Sequence, residues 1–568
     1  MFISFFESYW RQALAIVFLG LVASLFTILI PVSIGKYFDL LFGYHSHRAQ
    51  VLDFILPASL WQSMRAFQVF FLIAVGLRFA TSYGFRLGTA LLGERFSKHL
   101  RELLFEHQLR IPLSIYQQSG TGKYLLRYSG DMKSAQDLFT KGMLRLGSDL
   151  IVLTLALGFM WWYNVQIFLI VAGGMLFSAL LIRLLNKWLR RASVVRRDRR
   201  SGMLAFVSQR LQAIATIVAF NRFTPERARF QRRSEKLFAA GKEFQTVYQL
   251  IYTIVPGLLY LILALCLMMV HQLEMASTAQ QGNLLAFVLV FLTILPVFRR
   301  LLRAGLVWEM GLISIDKLMR ILQLARDDSH LPDFHFRKGR IEVSDLTVAF
   351  DGRPLIQNLH FTVEPGEMWH IRGRSGSGKT TLIQVLMGLL PPSGGQVRID
   401  GQDVSSVNGF SLRKHLTAVS TAFPLLGKTV FEAVSYNQKE KNRERAARLL
   451  ERLQRHLPQG RRLELDTPIG ELGSNLSSGE QKMLQYIRAM MTRKPIVLIE
   501  EPLKGLHPAV RTEVVKWLGR QKMDKTILLF TTARTLRGLE PDAFMELGHK
   551  PGATKTTPDD KPQARPGQ

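Results

Sequence analysis

Two segments of the sequence combine residue types that can handle a nucleotide. The first, "GRSGSGKTT", matches the pattern G-x-x-x-x-G-K-T and lies between an apolar run and a helical apolar pattern. In such a loop backbone N–H groups cradle phosphates at a helix N-terminus, Lys379 reaches the β- and γ-phosphates, and the Thr380 hydroxyl holds Mg²⁺. The flanking strand and helix argue against a chance match. We therefore predict nucleotide binding by Gly373, Arg374, Ser375, Gly376, Ser377, Gly378, Lys379, Thr380 and Thr381.

The second segment, "VLIEEPLKGLHP", is an apolar run that ends on two adjacent carboxylates, Glu500 and Glu501. Downstream of a phosphate-binding loop, a strand ending in acids is typical of a site in which one acid holds Mg²⁺ and the next polarises the attacking water. A solvated pair at a strand end is the simpler alternative, and the loop argues against it. We predict Mg²⁺ binding by Thr380 and Glu500, with Glu501 as the catalytic carboxylate if hydrolysis occurs here.

Composition indicates which elements carry these residues. The 568 residues are 48% hydrophobic, which favours a membrane part joined to a soluble part over one ordinary soluble domain. The stretch from Leu150 to Ile182 is uncharged but short for two crossings, so "WWYNVQ" within it predicts a tight outer turn between helices that continue into the cytoplasm. Six apolar segments are predicted to span the membrane, and they start near Ala13, Phe67, Leu150, Ile167, Leu250 and Leu284.

The formal charge of +30 is compatible with nucleic-acid binding, but the basic residues flank the apolar segments as the positive-inside rule requires. Residues 183–242 hold 16 Lys and Arg against three acids, whereas residues 271–283 hold no Lys or Arg. The basic side is therefore predicted to be cytoplasmic, with no nucleic-acid partner. The single cysteine, Cys266, excludes a disulfide framework within the chain. Arg78, within the second span, either lines a substrate path or, with that span shifted toward the cytoplasm, snorkels or pairs inside the helix bundle.

The sequence changes character after Leu322. Residues 1–322 are predicted to form an all-α membrane domain of six helices, residues 323–338 a linker, and residues 339–550 an α/β domain of alternating strands and helices. Residues 551–568 are rich in Pro, Thr and charge and are predicted to be disordered. We expect an integral membrane protein, in a bacterial plasma membrane, with its soluble domain in the cytoplasm.

Over almost its whole length the sequence resembles the half-transporters of the ATP-binding cassette (ABC) exporters, in which six membrane helices precede one P-loop cassette. "IPLSIYQQSGTGKYLLRYSGD" is similar to the segment leading to the family's first coupling helix, with Gly122, Arg127 and Asp131 at matching places. Phe350 falls where an aromatic residue stacks on adenine. "TPIGELGSNLSSGEQ" is similar to the signature motif, which caps the γ-phosphate bound by the partner. That similarity implies the capping role for Ser477, Ser478, Gly479 and Glu480.

The resemblance implies ATP and Mg²⁺ as cofactors and a second half-transporter as partner, but four positions around the site depart from it. Thr421 replaces a glutamine that helps to coordinate Mg²⁺ and the attacking water, and Glu500 replaces an aspartate. His507 replaces an aspartate, and Thr532, to within one residue, replaces a histidine that contacts the γ-phosphate. One such loss can lower a rate by about 10²-fold and still leave an enzyme. Four together predict that this site binds ATP and hydrolyses it slowly.

Three functions fit these residues. In the first, the chain is the degenerate-site subunit of a heterodimeric exporter and lends its signature to the partner's site. In the second, it is a homodimeric exporter with slow hydrolysis at two identical sites. In the third, it is a membrane regulator that binds ATP with little turnover. The retained Glu501 and signature favour the first over the third, while the substrate stays open among lipids, peptides, drugs and other amphiphiles.

Overall fold

The computed structural model describes residues 2–42, 64–119, 124–125, 127–274, 281–326, 330–350, 353–435, 440–458, 460 and 462–548. The chain divides into two compact units, one formed by residues 1–108 and 122–323 and the other by residues 109–121 and 324–568. The first unit contains only helices and the second is an α/β domain, which confirms the predicted fold class. Gly122 and the tail from residue 551 lie outside the described residues.

Long helices form the membrane unit. They are α1 (Phe2–Phe42), α2 (Met64–Gln108), α4 (Met132–Asp137), α5 (Leu146–Tyr163), α6 (Val165–Gln212), α7 (Ile214–Ala219), α8 (Phe223–Glu274) and α9 (Gln281–Leu322), while α3 (Leu113–Ser119) groups with the second unit. Two π-helical segments, Arg127–Asp131 and Leu138–Arg145, flank α4. In the described part of the chain, six helical segments are long and apolar enough to cross a membrane, as predicted.

Several helices are much longer than a bilayer is thick. Helix α6 has 48 residues, which corresponds to about 72 Å against a hydrocarbon core of about 30 Å. The predicted outer turn is confirmed at Asn164, which separates α5 from α6 and has an extended backbone. Its side-chain Oδ1 accepts hydrogen bonds from the N–H groups of Gln166 at 2.8 Å and Ile167 at 3.3 Å. Because an asparagine cap satisfies N–H groups that the first helical turn leaves unpaired, it fixes where α6 begins.

Apolar packing and one buried ion pair join the helices of the membrane unit. Buried side chains of α1, α5, α6, α8 and α9 form one continuous core. Within it Asp149 of α5 is 6% exposed and accepts hydrogen bonds from Arg300 of α9, from Nη2 at 2.6 Å and from Nε at 2.9 Å. Nearer the cytoplasm, Asp131 pairs with Arg127 and accepts a hydrogen bond from Ser314 of α9 at 3.1 Å. Half-buried Arg78 lies in α2.

The second unit is built on two sheets. Its strands are β1 (Ile341–Phe350), β2 (Arg353–Val363), β3 (Met368–Gly373), β4 (Gly394–Ile399), β5 (Gln402–Asp403), β6 (Leu416–Val419), β7 (Ile496–Glu500), β8 (Thr526–Thr531) and β9 (Ala543–Leu547). Its helices after α3 are α10 (Lys379–Leu386), α11 (Gly409–Arg413), α12 (Val430–Val434), α13 (Glu440–Gln454), α14 (Ser478–Thr492) and α15 (Pro508–Gln521). A short 3₁₀ helix covers Glu471–Gly473.

The larger sheet is parallel and has the order β6-β7-β8-β3-β9, whereas β2, β1, β4 and β5 form an antiparallel sheet. Both faces of the parallel sheet are buried. In β7, Val497 and Ile499 pack into one core, and Ile496 and Leu498 pack into the other. A strand buried on both faces must be apolar throughout, which accounts for the uninterrupted "IVLI" run before Glu500. The polar residues of interest are thereby confined to the strand ends.

Candidate nucleotide-binding site

Four strand ends create the candidate site. The parallel arrangement brings the carboxyl ends of β3, β6, β7 and β8 to one edge of the sheet. The phosphate-binding loop follows β3, the two carboxylates end β7, and threonines end β8. Ligands of open α/β sheets bind at this edge. Residues that are far apart in sequence, such as Thr380 and Glu500, therefore become neighbours.

The loop from Gly373 to Lys379 has the geometry of an anion cradle. Gly378 precedes α10 with φ of +92°, and a Cβ there would lie 2.9 Å from Ile356 Cγ1, so glycine is required on both counts. The Lys379 side chain is 7% exposed, and its Nζ donates hydrogen bonds of 2.8 Å to the carbonyl oxygens of Gly373 and Arg374. The ammonium is thus held over the loop where phosphates would replace the carbonyl partners.

Thr380 and Glu500, the two predicted Mg²⁺ ligands, are in direct contact. The Thr380 hydroxyl donates to Glu500 Oε1, and the Ser420 hydroxyl, at the end of β6, donates to Oε2 of the same carboxylate. These groups suit Mg²⁺, because hydroxyl and carboxylate oxygens are hard ligands and Mg²⁺ takes few protein ligands beside substrate phosphates and water. Sequence reasoning missed Ser420, which precedes the departure Thr421.

Glu501 is fixed by the end of β8. Its backbone has φ of +51°, a conformation that costs a non-glycine residue about 1–2 kcal/mol, and its N–H donates to the Phe530 carbonyl at 2.6 Å. Its Oε2 accepts a hydrogen bond from the Thr531 hydroxyl at 3.1 Å, and its Oε1 accepts one from the backbone N–H of Thr532 at 2.9 Å. The candidate catalytic carboxylate is therefore bound to the segment that contains the replaced histidine position.

Lys482 of α14 is a further charged group beside these carboxylates. It is 7% exposed, and its Nζ donates to the backbone carbonyl of Glu500. Burial lowers the pKa of the Lys482 ammonium to about 8, against the attraction of Glu500 and Glu501. Sequence reasoning missed this lysine. Its spacing i, i+3, i+4, i+7 with Gln485, Tyr486 and Ala489 places it on one face of the helix, and all four residues are buried. A lysine on a buried helical face needs a polar partner.

Two of the residues that replace family residues have identifiable local roles, and a third lies at the surface. His507 is the N-cap of α15, and its Nδ1 accepts a hydrogen bond from the Ala509 N–H at 3.3 Å. The backbone of Thr532 binds Glu501, while its side chain is exposed. Thr421 is exposed next to Ser420. The Phe350 side chain, expected to stack on adenine, lies outside the described residues.

The signature segment forms the start of α14. Ser477 is its N-cap, with the Ser477 Oγ accepting from the Glu480 N–H at 3.3 Å and Glu480 Oε2 accepting from the Ser477 N–H at 2.8 Å. A Cβ on Gly479 would lie 2.6 Å from the Gly505 carbonyl oxygen, which explains the glycine there. Ser477 and Ser478 are exposed at a helix N-terminus, a position at which backbone N–H groups favour anions.

Comparisons with known proteins agree with this architecture. The family model described as the ABC transporter transmembrane region matches residues 13–296, and the model described as ABC transporter matches residues 356–504. A solved bacterial Atm1-family ABC exporter with ATP bound superposes with a TM-score of 0.80, covering 95% of this chain and 93% of that chain at 18% sequence identity. The fold of a six-helix membrane unit followed by a P-loop cassette is thus shared with that exporter.

The chain belongs to the ABC transporter family, which confirms the resemblance seen in the sequence. It is similar to the ATP-dependent lipid A-core flippase of Haemophilus influenzae, at 27% identity over 76% of this chain and 74% of that protein. It is also similar to the flippase of the same name from Thiobacillus denitrificans, at 25% identity over 80% of this chain and 79% of that protein. As predicted, it is an integral inner-membrane protein with a cytoplasmic ATP-binding domain.

Proposed function

We propose that this chain is one half of an ATP-driven exporter whose own site binds Mg-ATP and hydrolyses it slowly. The observation that carries the proposal is the environment of Glu501. Its carboxylate accepts hydrogen bonds from Thr531 and from the Thr532 backbone, in a segment that lacks the family's imidazole. A carboxylate already engaged by two donors is a weaker acceptor for a water proton. The site therefore keeps the groups for binding and loses efficiency in the chemical step.

Binding is assigned to the phosphate-binding loop, residues 373–381, with Phe350 on the adenine. Lys379 would exchange its carbonyl partners for the β- and γ-phosphates, and Thr380 and Glu500, which are in contact, would hold Mg²⁺. Bound Mg²⁺ supplies positive charge that offsets the charge of the phosphates. Ser420 fixes the second oxygen of Glu500, which orients the carboxylate that is one methylene longer than the family's aspartate.

The partner in this proposal is a different half-transporter. A cassette with a capped, exposed signature helix and a slow site of its own suits a pair in which Ser477, Ser478, Gly479 and Glu480 complete the partner's site. ATP-driven pairing of the cassettes then shifts the membrane units between inward- and outward-facing states. The names of the lipid A-core flippases support an amphipathic lipid as the class of substrate.

ATPase activity of the purified chain in lipid nanodiscs tests this proposal. The chain alone, the chain with the half-transporter encoded beside it, and both preparations with Glu501→Gln are compared, and Glu444→Gln on the exposed side of α13 serves as the matched control. We expect near silence from the chain alone, and turnover of the pair that survives Glu501→Gln. Hydrolysis by the chain alone that Glu501→Gln abolishes would establish the homodimeric exporter instead. ATP binding without turnover in either preparation would favour the regulator.

A further inference from the structure

A strongly basic groove lies between the cytoplasmic ends of α6 and α8, within the basic stretch of residues 183–242 and remote in sequence from the phosphate-binding loop. It has a volume of about 530 Å³, which is large enough for a ligand bigger than a single phosphate. One acidic side chain, Asp198, lines it. Six basic side chains line it as well, and these define the basic groove: Arg199, Arg210, Arg229, Arg232, Arg233 and Lys236.

Among the described residues, carboxylates pair with only part of this charge. Glu226 binds two of the arginines, Arg210 at 2.9 Å and Arg229 at 2.7 Å. In the described part of the chain, no carboxylate forms an ion pair with any of the other four basic residues of the groove. Like charges so close together repel one another, and the repulsion is relieved when an anion binds between them.

The geometry favours phosphate over a nucleobase. Phe206 forms the floor of the groove and is 6% exposed. The guanidinium groups of Arg210 and Arg233 lie over its ring, at 4.0 Å and 4.8 Å from the ring centroid. The aromatic ring is therefore covered and cannot stack on a base, while the guanidinium groups are held in place. Five of the six cations are arginines, whose planar forks match phosphate oxygens in pairs.

The groove lies beyond the reach of lipid headgroups. The uncharged run of α6 ends at Ile182, and Arg199 follows 17 residues later, which corresponds to about 25 Å along the helix. The headgroup layer extends only about 5–8 Å beyond the hydrocarbon core. A phosphate that reaches the groove therefore comes from the cytoplasm rather than from the inner leaflet.

We propose that the basic groove binds a soluble polyphosphate anion with three or more linked phosphates. A chain of phosphates spans the two helices and contacts arginines of both, whereas a single phosphate would satisfy only one or two of them. The bound anion links α6 to α8 immediately beside α7, the segment that connects them. The site is separate from the phosphate-binding loop and does not depend on hydrolysis there.

Titration calorimetry with inorganic tripolyphosphate tests this site in the full chain in nanodiscs of zwitterionic lipid. All variants carry Lys379→Ala, because the nucleotide site would otherwise bind the same probe. The groove variant is Arg199→Gln/Arg232→Gln/Lys236→Gln, which leaves the two guanidinium groups on Phe206 intact. The control variant is Arg222→Gln/Arg227→Gln/Lys242→Gln, which removes three charges from exposed positions on the same segment without touching the groove.

We expect the groove variant to weaken tripolyphosphate binding by about tenfold or more, because three charge contacts are lost, and the control to weaken it by less than about twofold. Equal losses in the two variants would mean unspecific attraction to a basic surface, and undetectable binding to the parent chain would also overturn the proposal. In nanodiscs with anionic phospholipid the affinity should be unchanged, whereas competition by the lipid would identify a headgroup site. A groove variant that alters only the oligomeric state would identify a subunit contact instead.

Discussion

The ion pair between Asp149 and Arg300 makes a quantitative prediction about the membrane unit. The pair joins α5 to α9 through three hydrogen bonds, and the Asp149 side chain is only 9% exposed, against 38% for Arg300. Asp149→Asn keeps the shape of the side chain but removes its charge. Arg300 then lacks its counter-charge while the like charge of Arg145 stays nearby, and the hydrogen bonds between the two side chains weaken.

The expected loss follows from this burial. Breaking one partner of a fully buried ion pair costs about 3–5 kcal/mol. The Arg300 side chain is 38% exposed and can be partly hydrated. We therefore expect Asp149→Asn to lower the free energy of unfolding by about 2–3 kcal/mol. Arg300→Gln should cost a similar amount, because it leaves the more deeply buried Asp149 without a partner. The double variant should be more stable than the sum of the two losses by about 1–2 kcal/mol.

Thermal unfolding of the chain in nanodiscs measures these changes. A loss of about 2–3 kcal/mol corresponds to an apparent Tm lower by roughly 5 °C. The control is Glu309→Gln, which breaks another ion pair of α9, with Arg190 of α6. Its side chains are 38% and 56% exposed, so we expect less than about 1 kcal/mol. If Asp149→Asn and Glu309→Gln lower Tm equally, or if the two single losses simply add, burial of the pair is not what stabilises it.

Three further changes concern the cassette. Lys482→Met should stabilise the metal-free cassette by about 2 kcal/mol at pH 7. A pKa of about 8 corresponds to a net cost of about 3 kcal/mol for the charged ammonium, after the attraction of Glu500 and Glu501, and one carbonyl hydrogen bond returns about 1 kcal/mol. An unchanged or lower Tm would contradict this. Thr531→Val should lower stability by about 1–3 kcal/mol, since Glu501 and the Ala533 N–H both lose a partner, while Thr531→Ser restores most of it. Burial lowers the pKa of His370, so the unfolded chain binds its proton more tightly and stability falls as the pH drops below about 6.5. Relative to His370→Gln, the native chain should lose Tm between pH 7 and pH 5, and parallel curves would refute that assignment.

The phosphate-binding loop, the membrane helices and the turn between α5 and α6 could be predicted from the sequence, because each depends on residues that are close together in the chain. The phosphate-binding loop follows from residues 373–381 alone, because its glycines, lysine and threonine act within one turn of chain. The membrane helices follow from apolar runs whose length a bilayer dictates, and the turn at Asn164 follows from a polar break in such a run. In each case the physical constraint acts on neighbours in sequence.

Contacts between distant segments were not predictable in the same way. Ser420 contacts Glu500, and Thr531 contacts Glu501, because β6, β7 and β8 end at one edge of a sheet. The order of these strands cannot be read from the sequence of any one of them. The π-helical segments on either side of α4 and the pairing of Asp149 with Arg300 also depend on packing between helices. Lys482 is predictable only in part. Its helical spacing indicates that it is buried, but only the order of the strands identifies Glu500 as its partner.

The departures from the family pattern bear on hydrolysis because of how the local structure accommodates them. His507 caps α15 through Nδ1, a role that an aspartate also fills well, so stability alone does not select the histidine. Thr532 binds Glu501 through its backbone N–H, which any residue except proline supplies. The side chains at both positions are therefore free to vary without loss of the fold. Lys379, Thr380 and both carboxylates keep their places while those two positions change, so the changes bear on the proposed slow hydrolysis rather than on folding.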